Sequence, residues 1–161
     1  MIIEFTIPGR PQHQGSRTRG RYGGTHDDND NLAPWRKDAI ACALEARPPD
    51  LAGPVFIGPV SVCALFVFPH LKGHYGTGRN ARILKESAPY WVTTKPDTDK
   101  CQRALGDVLT FAGIVRDDNQ IVRWEAEKVY GDLPYVEVAI AEAHRPRSTI
   151  PSNILSTGAN P

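Results

Sequence analysis

Disulfide frameworks, membrane spans and a strong charge of either sign are all missing from this sequence. Its three cysteines, Cys42, Cys63 and Cys101, are odd in number and widely spaced, which excludes a disulfide scaffold and a zinc-ligand pattern alike. A reduced, cytosolic setting is the expectation. No apolar run approaches the roughly 20 residues that cross a bilayer, and the amino end lacks the basic start and long apolar stretch of a secretory leader. A net charge of +1 excludes nucleic-acid recognition by bulk charge, so any basic surface must come from local clustering. The 161 residues suit one domain and are few for two. With 40% hydrophobic and 23% charged residues, neither a disordered nor a fibrous class is favoured.

What is present begins with Ile2–Ile7, where apolar and polar residues alternate up to Pro8-Gly9-Arg10-Pro11, the pattern of a half-buried strand closed by turn residues. Residues 8–31 read as a loop whose first part carries Arg10, Arg17, Arg19 and Arg21 without an acid, ahead of the acidic run 26–31. From the capping residue Asn31, through Pro34 in the first turn, Trp35, Ala39, Cys42 and Ala46 recur at helical spacing. Val60–Phe68 is almost wholly apolar, which predicts a central strand covered on both faces. Residues 70–94 show no period and set Lys72, His74, Arg79, Arg82 and Lys85 against a single Glu86; a loop that long is usually functional or mobile.

Helical spacing returns at Thr98–Ala112, with Cys101, Leu105, Val108 and Ala112 on an apolar stripe and Asp99, Arg103 and Asp107 stacked on the opposite side. Gly113 suits the position just past its end. Gln120–Tyr130 and Pro134–Ala141 alternate as strands, and the short link between them predicts a hairpin. Beyond His144 the composition turns to Pro, Ser, Thr, Asn and Gly, the mark of a poorly ordered tail.

The chemistry concentrates at the two ends of the second helix, where Asp97 and Asp99 precede it and Asp117 and Asp118 follow it. Either these carboxylates lie scattered on solvated turns, or the fold gathers them. Taken singly, Asp97 or Thr98 reads as a cap and Asp99 as a complement to the helix dipole, which explains one acid and not the set. A helix of about 15 residues covers on the order of 22 Å, so Asp118 nears Asp97 only if the chain folds back beside the segment ending at Lys95. Carboxylates drawn together repel unless a cation compensates, so a gathered cluster implies a divalent ion. Oxygen donors without His or Cys at ligand spacing favour Mg²⁺ or Mn²⁺ over Zn²⁺. The stretch from Asp97 to Val108 fails as a calcium loop, lacking the third acid and the turn glycine. The histidines His13, His26, His70, His74 and His144 form no ligand set.

From Asp97 to Ile121 the residues resemble the RusA-type Holliday junction resolvases, endodeoxyribonucleases of bacteria and phages. Their pattern is an Asp-x-Asp pair followed by Asn-Leu, a basic residue four positions after the second Asp, Asp-x-Leu in the helix, and Asp-Asp-x-Gln-Val at its far end. Here it reads Asp97-Thr98-Asp99, Arg103, Asp107-Val108-Leu109 and Asp117-Asp118-Asn119-Gln120-Ile121. Residues 5–19 are similar to the family's first strand and basic loop, and 34–46 to its first helix. Two positions depart: Lys100 replaces the usual Asn and Arg103 the usual Lys. Neither change removes a carboxylate, but Arg103 keeps its proton and serves as a fixed charge.

The resemblance implies an α+β fold over residues 1–145, a mixed sheet of roughly four strands packed against two main helices, with a tail over 146–161. It further implies a homodimer that cuts paired strands of four-way DNA junctions, using Mg²⁺, or Mn²⁺ in its place, held by Asp97, Asp99 and Asp118. Arg103 would then face the scissile phosphate, with Asp117 and Asp107 orienting ligands or water from behind; Asp107 reads equally as a solvated helix residue. Phosphate contacts fall to Arg10, Arg17, Arg19, Arg21, Lys72, Arg79, Arg82, Lys85, Lys95 and Lys100. Tyr22, Tyr75, Tyr90 and Trp91 are available to stack on unpaired bases, and Tyr90 and Trp91 equally to pack at a strand edge. A bacterial cell, with a phage or prophage gene and no membrane partner, is the implied setting. The rivals are a junction-binding protein whose changes at Lys100 and Arg103 have spoiled cutting, and a cation-binding domain without a DNA role. Mg²⁺-dependent cutting separates the first from the resolvase, and salt-sensitive DNA affinity excludes the second.

Overall fold

The apolar run beginning at Val60 forms β4 (Val60–Pro69), and the sheet is arranged around it in the order β1 (Ile2–Pro8), β6 (Tyr135–Glu142), β4, β5 (Ile121–Gly131). This computed structural model describes residues 1–15, 17–19, 25–27 and 29–144; the tail expected over 146–161, with Arg21 and Tyr22, lies outside the described residues. Because β6 runs antiparallel to both its neighbours while β5 is parallel to β4, the sheet is mixed. Two 14-residue helices, α1 (Leu32–Glu45) and α2 (Thr98–Phe111), complete the expected α+β fold. Residues 8–31 are more than a loop: β2 (Arg17–Arg19) and β3 (Thr25–Asp27) pair as a short antiparallel ribbon.

The expected helical stripe is buried: Cys101, Leu105 and Val108 have no exposed surface and Ala112 almost none, and with Leu109 they meet Val62, Phe66, Val136 and Ile140 in one core. Each such aliphatic side chain contributes roughly 1.5–3 kcal/mol by leaving water. The helix ends as Gly113 takes φ +65°, and the N–H groups of Gly113 and Ile114 donate to the carbonyls of Thr110 and Leu109. This pairing closes the last turn in a way that favours glycine. Against α2 packs α1, which presents the small buried faces of Ala39 and Ala43 beside Trp35. Asn31 stands at its start, but the side chain makes no capping bond.

Two expectations are corrected. β5 and β6 form no hairpin, because β4 lies between them. The link Asp132–Pro134 crosses the end of β4; two inter-strand steps come to about 10 Å, within reach of three extended residues. β4 takes the inner place as a strand without charge, whereas β5 carries Arg123, Glu125, Glu127 and Lys128 and stays at the edge. Nor is β4 covered on both faces. Val60, Val62, Ala64 and Phe66 point into the core under the helices, while Ser61, Cys63 and Leu65 alternate to the other side, where Cys63 is exposed. Residues 70–94 hold two short 3₁₀ turns, and Trp91 forms a bridge to Val129 on the edge of β5. Among the described residues no helix is long and apolar enough to cross a membrane.

Two measurements check this packing. A Cβ at Gly131 would lie 2.6 Å from Val67 Cγ1 where the chain crosses β4, so Gly131→Ala is expected to cost about 1–3 kcal/mol in denaturant unfolding, with part recovered by Val67→Ala. Thiol labelling reports the faces of the sheet and helix. Burial pushes the Cys101 thiol up to about 12, so it reacts only on unfolding. The Cys63 thiol is raised by desolvation and then by Glu125, whose Oε2 stands 3.6 Å from Sγ. At neutral pH its labelling is slow for an exposed thiol, and Glu125→Gln accelerates it.

Candidate metal and nucleic-acid site

The chain leaves α2 and returns along the sheet as β5, which lays Asp118, Ile121 and Trp124 beside Asp99, Gln102, Arg103 and Gly106 around one pocket of about 220 Å³. The four helix residues recur every three or four positions and therefore share a face. The fold-back that the acidic pairs required is present. Tyr130 N–H donates to the Tyr90 carbonyl at 2.8 Å, and Val92 N–H to the Lys128 carbonyl at 3.0 Å, so the segment leading to α2 runs along β5.

Asp118 is presented by a turn that its neighbours build. The Asp117 carboxylate accepts from Asn119 N–H at 2.9 Å, and Gln120 Oε1 accepts from the N–H groups of Arg116 at 2.7 Å and Asp117 at 3.3 Å. Gln120 Nε2 in turn donates to the carbonyls of Phe56 at 3.1 Å and Gly58 at 2.8 Å, anchoring the turn to the segment before β4. Asp117 thus shapes the backbone. Gly106 supplies the room opposite, since a Cβ there would come 3.7 Å from Asp118 Cβ.

At the helix start, Asp97 holds the capping position but its side chain makes no capping bond. Its carboxylate instead faces Lys100 at 3.7 Å, while that of Asp99 faces Arg103 at 3.5 Å. Both pairs are more than half exposed on the acid side, at 57% and 59%, so solvent screens them and leaves the carboxylates free to exchange partners. Asp99 and Gly106 are about 10 Å apart along the helix, which puts Asp99 and Asp118 toward opposite ends of the pocket. Asp97 is outside its lining. Among the described residues no three His, Cys, Asp or Glu side chains are grouped to hold one ion between them. The donors the pocket does offer are carboxylate oxygens, with neither imidazole nor thiolate, the donor type of a hard divalent cation.

The other expected residues divide by location. Asp107 lies off this pocket and binds Arg36 of α1 at 2.9 Å, tying the helices together. Arg10 and Lys95 line a separate pocket beyond the start of α2. Arg17 and Arg19 are in the β2 ribbon. Lys72, Arg79, Arg82 and Lys85 stand exposed on the long loop, with Lys85 Nζ donating to the Gly73 carbonyl at 2.8 Å. Tyr90 and Trp91 both lie at the β5 edge and remain exposed at 60% and 52%. His70 and His74 approach each other at 3.2 Å against Tyr130 and line neither pocket.

Three contributors escaped the sequence reading. Lys128 donates from Nζ to the carbonyls of Thr94 at 3.0 Å and Pro96 at 2.6 Å, clamping the turn that delivers Asp97. Its signal is a lysine among Trp124, Ala126 and Tyr130 on the core-side parity of β5. Gly106, a glycine inside a helix, is a known prompt for close approach. Trp124 reads as ordinary core. Gly106→Ala is expected to gain up to about 1 kcal/mol of stability from helix propensity alone, whereas Gly106→Leu should displace Asp118 and abolish any activity of the pocket. Gln120→Ala should leave the Phe56 and Gly58 carbonyls without their donor, lowering stability by about 1–3 kcal/mol in unfolding measurements.

Comparison with known proteins meets the same residues. The model of a family described as endodeoxyribonuclease RusA matches residues 8–141. A crossover junction endodeoxyribonuclease rusA from Lactococcus phage r1t is 38% identical over 52 residues, which is 32% of this chain. That match spans 40% of the length of the phage protein. With the family match running from the end of β1 into β6, the chain belongs to the RusA endodeoxyribonuclease family.

Proposed function

We propose that this protein is a metal-dependent endodeoxyribonuclease that resolves four-way junctions and other branched DNA by paired cleavage, in recombination, repair or phage DNA processing. The observation that carries the reading is the one pocket between α2 and β5 that Asp99, Arg103 and Asp118 all line. Bound Mg²⁺, with Mn²⁺ as a substitute, would supply an acidified water and neutralise charge on the phosphate oxygens. Two carboxylates suffice, because Mg²⁺ commonly keeps several waters and takes its remaining oxygens from substrate phosphate. Asp99 and Asp118 would hold it, with Asp97 free to turn in from the helix start. Arg103 cannot readily release a proton and therefore acts as a fixed cation toward a non-bridging phosphate oxygen. Hydrolysis forms one bond from water oxygen to phosphorus and breaks one to the sugar; the water's proton passes to carboxylate or solvent, and the departing oxygen is protonated.

A homodimer would set two such pockets against paired strands, and the setting proposed is the cytoplasm of a bacterium, from a phage or prophage gene. One observation favours a second reading, junction binding without cutting: Asp97 and Asp99 already face Lys100 and Arg103, and no three described carboxylates cluster. A labelled four-way junction and a matched duplex, each with Mg²⁺ or EDTA, separate the two. Resolution predicts paired nicks in the junction that vanish with EDTA and fall at least about 100-fold in Asp99→Asn and Asp118→Asn, while junction affinity persists. Tight binding without nicks would give the case to the second reading.

A further inference from the structure

A second pocket is lined by Lys95 and Pro96, the residues just before Asp97. Its volume is about 300 Å³, and four separate segments converge on it: the loop after β1, the approach to α1, the end of β4, and the turn before α2. Its floor is dry, made by the buried residues Pro11, Phe68 and Pro96, and Arg10, Asn31 and Lys95 stand exposed in its lining. The walls are held in place before any ligand arrives. Asn29 Nδ2 donates to Gln12 Oε1 at 3.2 Å and to the His13 carbonyl at 2.9 Å, Gln14 N–H donates to the Lys100 carbonyl at 3.1 Å, and Lys128 clamps the Pro96 side. Asn31, which would ordinarily cap α1, leaves its side chain unused for that purpose.

We infer that this pocket receives one unstacked nucleotide at the branch of the DNA and reads its base. The inference rests on the proposed endonuclease reading and deepens it. The chemistry of the walls matches the two halves of a nucleotide: an aromatic ring and two prolines for the face of a base, and two cations for the phosphate beside it. His13 and Asn31 supply hydrogen-bonding groups for the edge of the base. The volume lies at the small end of ligand pockets, about 300–1,000 Å³, which admits a single base and excludes a base pair. Unstacking costs least where pairing is already interrupted, and a branch point provides that interruption. Lys95 and Pro96 immediately precede Asp97 in the chain, so a nucleotide held here fixes which phosphate enters the acidic pocket. Selection of the cleavage position would follow from the base in this pocket and not from the acids.

The test uses the full chain and four-way junctions carrying iododeoxyuridine at successive branch positions, irradiated in the near ultraviolet, with adducts mapped by mass spectrometry. One position is expected to link to the peptide of His13 or of Phe68. A parallel series of junctions differing only in the base at that position should be bound or cut with a preference of about fivefold or more, the value of one hydrogen bond. His13→Ala with Asn31→Ala should level that preference by lowering affinity for the preferred junction to that of the others, while the melting curve stays near that of the parent. Asn31→Asp, which changes the hydrogen-bonding edge and keeps the shape, should alter the preferred base and guards against a folding artefact. Adducts that map elsewhere, or an unchanged preference in folded variants, would overturn the inference and leave the endonuclease reading standing. Absence of any salt-sensitive junction binding by the parent would overturn both.

Discussion

Two parallel neighbours in a sheet cannot be joined by a tight turn, so the chain from β4 to β5 has to travel back across the sheet before it can pair. Here α2 makes that return. The helix is buried through Leu105, Val108 and Leu109, which fixes its rotation and leaves Asp99, Arg103 and Gly106 toward the β5 side. Pairing of β5 with β4 then sets Asp118 opposite Gly106. Parallel pairing and apolar burial thus bring Asp99 and Asp118, from the two ends of one helix, into the lining of one pocket, with Asp97 outside it.

Polar contacts refine what burial positions. Gln120 and Asp117 spend their own hydrogen bonds on the backbone of a single turn, so Asp118 is the acid of that pair left to face the pocket. Lys128 does the equivalent for the turn before α2. Both devices place a charged or amide side chain on backbone carbonyls, where a lost partner leaves an acceptor unsatisfied and costly. The site is therefore shaped by residues that never enter it. Charge is divided too: the acids of the pocket beside α2 are accompanied by Arg103, while the face of β4 turned away from the core gathers Glu125, Glu127 and Glu137 around Cys63 and Leu65.

Much of this was legible from residue patterns, and what escaped has identifiable causes. The 3.6-residue spacing of Cys101, Leu105 and Val108 announces α2, and Gly113 announces its end, because both signals are local. The pairing of β5 and β6 is not local. A three-residue link fits a hairpin and a crossing over one strand equally well, and only competition for the uncharged inner place decides between them. The apolar run of β4 reads as covered on both faces because Cys63, Leu65 and Val67 are apolar in composition, yet the two helices lie on one side. The Asp97–Ile121 motif singles out a set of acids while saying nothing about their separation. Lys128 is invisible as a clamp because its two acceptors are backbone carbonyls more than thirty residues away.

The central claim is that Asp99 and Asp118 form one cation site beside α2. Titration of the isotopically labelled full chain with Mn²⁺, followed by nuclear magnetic resonance line broadening, tests it most directly. Broadening centred on the Gly106 and Ile121 amides and the Trp124 indole, lost in Asp118→Asn and competed by Mg²⁺, is the predicted result. Broadening centred on the Glu125–Glu137 face, or none near Gly106 at Mn²⁺ levels that saturate the protein, would contradict it.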